Sequence, residues 1–264
     1  MTERMLKRIA RARSASAPLL TCGVVAGDPY LEILPELLEA LVEGGADVVE
    51  IINPTSDAAY HGTVIQRSCH RALREPFALH ELLGEVSRWR AEDEETPLLL
   101  SSYYNQLLAP GLERSCAAMA DAGVDAVSIV DLPWREASRA RTHLQDAGMV
   151  PMPALAPTTP DDRAEEIMLA SQEAGVVWAG HVGGEVNDRA QALERLIEQC
   201  ALVPSTPVLA SLHVSTPAEA RAVAMACHGV LVTSSIVWLV EGKGADLEQR
   251  LTSFVEGLRE ALDA

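Results

Sequence analysis

Aromatic side chains are scarce in this chain, with two Phe, four Tyr and four Trp among 264 residues. Any site that stacks a ring must therefore rest on few positions. Basic residues are also short, 21 Lys and Arg against 38 Asp and Glu, for a formal net charge of -17. Polyanion binding needs cationic side chains to displace condensed counterions, and no Lys/Arg stripe occurs, so nucleic acid and anionic membrane surfaces are excluded as partners. The five cysteines, Cys22, Cys69, Cys116, Cys200 and Cys227, form no CxxC pair and leave an odd count. Neither a zinc site nor a disulfide framework is indicated, and thiols in a reducing compartment are expected. No apolar run reaches the length of a membrane span, and the basic amino-terminal stretch lacks the apolar core of a signal peptide. A cytoplasmic location is expected.

What is present is an ordered, globular composition, 48% apolar and 22% charged. Eight short apolar, β-branched segments recur: 19–27, 48–52, 97–102, 126–131, 151–157, 176–181, 207–212 and 229–235. Amphipathic stretches such as LEILPELLEALVE and DRAQALERLIEQC lie between them, which is the pattern of repeated β-α units with strands buried on both faces. Gly45, Gly123, Gly148, Gly175 and Gly229 fall just before strands, where a left-handed residue closes a helix. These units predict one domain over residues 1–264, a single (β/α)8 barrel. A short basic helix at residues 3–14 is expected to plug its lower end. An open, doubly wound sheet is the competing architecture, but no GxGxxG follows the first strand.

A barrel of this type places its chemistry where strands end and βα loops begin. Glu50 stands alone as an acid inside an apolar strand, a costly position unless it faces a cleft or a partner. The loop after it is rich in turn formers and polar groups. In combination, AGDP at Ala26 to Pro29, the spacing of Glu50, Pro54, Ser56, Asp57, Gly62, Ile65 and Gln66, then Tyr103 with Asn105 and Asp131 with Pro133, resemble the α subunit family of tryptophan synthase. The likeness runs from about residue 18 to residue 262.

That resemblance implies a carbon-carbon lyase, cleaving indole-3-glycerol phosphate or a related small molecule to indole and glyceraldehyde 3-phosphate without metal or organic cofactor. It implies Glu50 as general acid and base. The family's second catalytic residue, an aspartate, falls at His61, where only a neutral imidazole can accept the indole N–H. The implied substrate contacts are Tyr103, Asp131, His181, Gly183, Gly184, His213, Thr233 and Ser234. Gly184 and Ser234 match the family's phosphate turns, whereas His181, His213 and Thr233 replace glycines. A β-carbon at a left-handed position is strained, so a differently shaped anion is also compatible. From the residues alone, His61, His181 and His213 suit an anion when protonated or a divalent metal when neutral.

The family's α subunit docks on a pyridoxal-phosphate β subunit, so a β-type partner is implied. Loss of the aspartate and of turn glycines supports a second reading, a weakened homologue that acts on a different substrate or serves as a binding or activating subunit. If His61 receives the indole N–H, activity falls as pH drops through its pKa. A rate profile over roughly pH 5 to 8 checks this, and a flat profile removes His61 from the reaction.

Overall fold

The computed structural model describes residues 3–15, 17–173, 175–180, 189–242, 244 and 246–264. Nine parallel strand segments form one sheet: β1 (Leu19–Val25), β2 (Val48–Ile52), β3 (Leu98–Ser102), β4 (Ala126–Ile129), β5 (Val150–Pro151), β6 (Ala154–Leu155), β7 (Val176–Ala179), β8 (Val208–Ser211) and β9 (Gly229–Val232). Their order is β5-β4-β3-β2-β1-β9-β8-β7-β6. Every residue of β1, β2 and β3 is buried. Such strands carry apolar or β-branched residues on both faces because the barrel interior lies on one side and the helices on the other.

The ring closes through the run that contains β5 and β6. Met152 N–H donates to the Val127 carbonyl at 2.9 Å, and Val177 N–H donates to the Pro153 carbonyl at 2.9 Å. This run thus joins β4 to β7 and completes a (β/α)8 barrel. The sequence predicts one uninterrupted fifth strand, and the structure divides it. Pro151 and Pro153 bring no N–H to the ladder, which cuts regular pairing to two short pieces.

Between the strands run amphipathic helices, of which four matter below: α1 (Glu3–Ala15), α3 (Thr63–Ala72), α4 (Leu79–Arg90) and α11 (Ser234–Glu241). Gly45, Gly123, Gly148 and Gly175 take positive φ, as their positions predict. Gly229 does not, and its missing side chain serves another purpose: a β-carbon there would lie 2.7 Å from the Leu19 carbonyl oxygen.

The lower end is plugged as expected. Met5 and Ile9 of α1 pack with Leu19, Val48, Leu99 and Ala126 and are all but inaccessible. Their apolar spacing of four residues puts both on one helix face. Asp125, fully buried at the start of β4, fastens the plug. It accepts from Arg4 Nε at 2.9 Å, from Arg90 of α4 at 3.2 Å and from the Leu98 N–H at 2.9 Å. Burial lowers the Arg90 pKa to about 10. No helix among the described residues is long and apolar enough to cross a membrane.

Removing one partner of a buried ion pair strands the other charges. Asp125→Asn is therefore expected to lower unfolding free energy by about 3 kcal/mol, read from the urea midpoint.

Candidate active site

Glu50 is 5% exposed and lies in register with Gly23 of β1 on one side and Leu99 of β3 on the other. Both carboxylate oxygens are engaged. Ser101 Oγ donates to Oε1 at 2.6 Å, and Thr233 Oγ1 donates to Oε2 at 2.7 Å. The second bond crosses the whole of β1, which separates β2 from β9. It exists because residue 23 is glycine: a β-carbon there would stand 2.5 Å from Glu50 Oε2 and 2.6 Å from Thr233 Oγ1. Burial raises the Glu50 pKa, and the bonds from Ser101 and Thr233 offset part of that rise. A raised carboxyl value moves the group toward general acid and base work near neutral pH.

The carboxylate opens into a cavity of about 350 Å³ at the carboxyl ends of the strands. Its wall combines apolar groups, including Ile65, Leu155, Val177 and Leu231, with Asp131, His61, Ser128, Thr158, Thr233 and Ser234. Asp131 Oδ1 accepts from the Tyr104 N–H at 2.7 Å. Ser234 is the first residue of α11, so the unpaired N–H groups of that helix start at the cavity rim.

The loop carrying His61 is tied down. Gln66 donates to the His61 carbonyl at 2.7 Å, and Gln106 donates to the Pro54 carbonyl at 2.7 Å. The Tyr60 N–H donates to Tyr103 Oη at 3.2 Å, and His61 Nδ1 lies 3.1 Å from the same hydroxyl. Tyr103, expected to contact substrate, is buried behind the loop and is not among the cavity-lining residues. Its hydroxyl instead orients the imidazole, and burial raises its pKa to about 12.

Of the other expected residues, Glu50, His61, Asp131, Thr233 and Ser234 line the one cavity. His213 is exposed and does not line it. It holds φ +35, the left-handed geometry anticipated for a turn that suits glycine. His181, Gly183 and Gly184 lie outside the described residues. Among the described residues no group of three or more His, Cys, Asp or Glu side chains is arranged to hold a metal ion.

Sequence reasoning missed Ser101 and Gly23, whose roles depend on register, and it missed Trp134. That ring lines the cavity and stacks under Arg141, 4.1 Å from the guanidinium carbon. Its place three residues beyond Asp131, in a βα loop, was the available signal. Trp178, near the end of β7, faces the helix layer, where its indole N–H donates to Gln199 at 2.6 Å.

A closed parallel barrel with a buried, hydrogen-bonded carboxyl group at the mouth of its strands defines an acid-base enzyme of the (β/α)8 class. The sequence profile described as "Tryptophan synthase alpha chain" matches residues 9–263. A tryptophan synthase alpha chain of Burkholderia pseudomallei (strain 1106a) is 37% identical over 256 residues, spanning 96% of this chain and 93% of the relative. One from Ralstonia nicotianae is 35% identical, spanning 97% and 96%. The crystal structure of the tryptophan synthase alpha chain from Legionella pneumophila subsp. pneumophila superposes with a TM-score of 0.88 at 28% identity, covering 100% of this chain and 98% of that one. The chain belongs to the tryptophan synthase alpha chain family, and it is a lyase.

Because the folded state holds the Glu50 carboxyl above its ordinary value, it binds a proton that the unfolded chain releases. The associated stability is complete below the unfolded value of about 4.3 and is lost as pH rises through the folded value. Glu50→Gln, which cannot ionise, is expected to be more stable than wild type at pH 7.5. That difference should close as pH approaches about 4.3, as followed by thermal melts across pH.

Proposed function

We propose that this cavity cleaves indole-3-glycerol phosphate to indole and glyceraldehyde 3-phosphate, with Glu50 moving the protons. The observation that carries the reading is the desolvated Glu50 carboxyl group, held by two hydroxyls and open to the cavity. Protonated Glu50 gives its proton to the ring carbon that bears the glycerol chain. The carboxylate so formed takes the proton of the adjacent glycerol hydroxyl. The carbon-carbon bond then breaks, its electrons return to the ring, and the former alcohol carbon leaves as the aldehyde. Ser101 and Thr233 keep the carboxylate aimed through both transfers. No water is consumed.

His61, steadied by Tyr103, receives the indole N–H as charge builds on the ring. The start of α11 at Ser234 binds the phosphate, whose anion suits the free N–H groups of a helix start, and Asp131, beyond β4, contacts an uncharged part of the substrate. Expectation placed His181, Gly183, Gly184 and His213 at this anion as well. The first three carry that role by family resemblance. The exposed position of His213 limits it to shaping its turn. A β subunit is the proposed partner, docking on the 53–62 loop, where Ser56, Asp57 and Tyr60 are exposed.

Purified chain incubated with indole-3-glycerol phosphate is expected to release indole. Glu50→Gln should slow it by about 10² to 10⁴. Undiminished turnover in the variant, or no indole from wild type with and without a tryptophan synthase β subunit, overturns the reading.

A further inference from the structure

Ser128 is a hydroxyl of the cavity wall, on the inner face of β4, that the proposed reaction leaves unused. It lies on β4 in register with Ser101 of β3, so the two hydroxyls are neighbours on the inner face. The Ser101 hydroxyl donates its hydrogen bond to Glu50. Ser128 is 2% exposed and lines the cavity, and its hydroxyl makes no hydrogen bond with any described residue. Its near neighbours along the wall are Ile129, Val130, Pro153 and Ala154, none of which brings a side-chain hydrogen-bonding group.

Strand order sets what can meet this hydroxyl. Ser234 follows β9, two strands to one side of β2, and Ser128 sits on β4, two strands to the other. With the reacting carbon at Glu50 and the phosphate at Ser234, the ring is directed toward Ser128. A plain aromatic edge would displace water from a buried hydroxyl and return nothing. An unpaired buried hydroxyl costs about 1 to 3 kcal/mol, and a site built to hydrogen-bond a substrate group discriminates against analogues that lack it.

We propose that Ser128 is a specificity-determining residue, and that the chain's preferred substrate is an indole-3-glycerol phosphate bearing a hydroxyl on its six-membered ring. This rests on the lyase reading above and refines its substrate class. Serine both donates and accepts, so it satisfies such a hydroxyl in either direction.

The test runs the reaction in the condensing direction. Glyceraldehyde 3-phosphate is supplied with indole or with 4-, 5-, 6- or 7-hydroxyindole. The ring carbon adds to the aldehyde carbon, the carbonyl oxygen becomes the alcohol, and the ring proton lost is the one the alcohol gains, so nothing else is released. Wild type is expected to favour at least one hydroxyindole over indole by about tenfold or more in kcat/KM. Ser128→Ala should erase that preference, and Ser128→Leu should favour indole.

A wild-type enzyme that prefers indole to all four hydroxyindoles overturns the proposal. So does a preference unchanged in Ser128→Ala, or an equal loss for every acceptor, which would assign Ser128 to the ring N–H instead. If no acceptor reacts, the lyase reading fails by itself. Calorimetric binding of the same five indoles to wild type and Ser128→Ala then decides the role of Ser128: tighter hydroxyindole binding that the variant loses supports it, and equal binding overturns it.

Discussion

The site depends on keeping one carboxyl group dry without leaving it unpartnered. Glu50 lies inside a barrel wall where ionisation is disfavoured, yet each oxygen has a hydroxyl donor. Burial alone would hold the proton too firmly to return it, and strong ion pairing would keep the group permanently charged. Two neutral donors sit between these extremes. They stabilise the carboxylate enough for it to act as a base and leave the acid form accessible. Thr233 reaches Glu50 only over the empty face of Gly23, so the chemistry of β2 depends on a missing side chain in β1.

The same bond joins the two ends of the cavity. Thr233 precedes the first turn of α11, and its side chain holds the acid. A ligand anion drawn to that helix start therefore lies one residue from the group that fixes Glu50. On the far side, the barrel continues the layer through Ser101 to Ser128. In the proposed reaction, anion binding, proton transfer and recognition of the ring fall on alternate strands of one wall, β9, β2 and β4.

Much of this was readable in the chain. The β-α repeats give the barrel, and a lone acid in an apolar strand marks Glu50. The spacing around Gly62 and Gln66 locates His61, and the structure adds the reason for Gln66, which holds the His61 carbonyl. The anticipated left-handed turn at His213 is present as well. What the chain did not disclose depends on strand register and on which face a residue takes. Gly23, Thr233 and Ser101 are distant in sequence and meet Glu50 only when β9, β1, β2 and β3 are aligned. Trp178 turns outward and Trp134 inward, a choice that composition near a strand end does not make. Tyr103 was recognised by its motif, but the motif does not distinguish touching a ligand from bracing the residue that does.

The barrel is not equally strong around its circumference. Between β4 and β7 the wall is carried by two-residue pieces interrupted by Pro151 and Pro153. Elsewhere, ladders such as β1 with β2 run five residues. The β8 with β9 ladder is as short, at two pairs, but only the β4 to β7 sector is divided by prolines, and Pro153, Ala154 and Leu155 form part of the cavity there. This thinly paired sector lies across the barrel from β1 and β2, the strands of Gly23 and Glu50. A group that presses on the divided strand therefore meets fewer amide links than one that presses on β1 or β2.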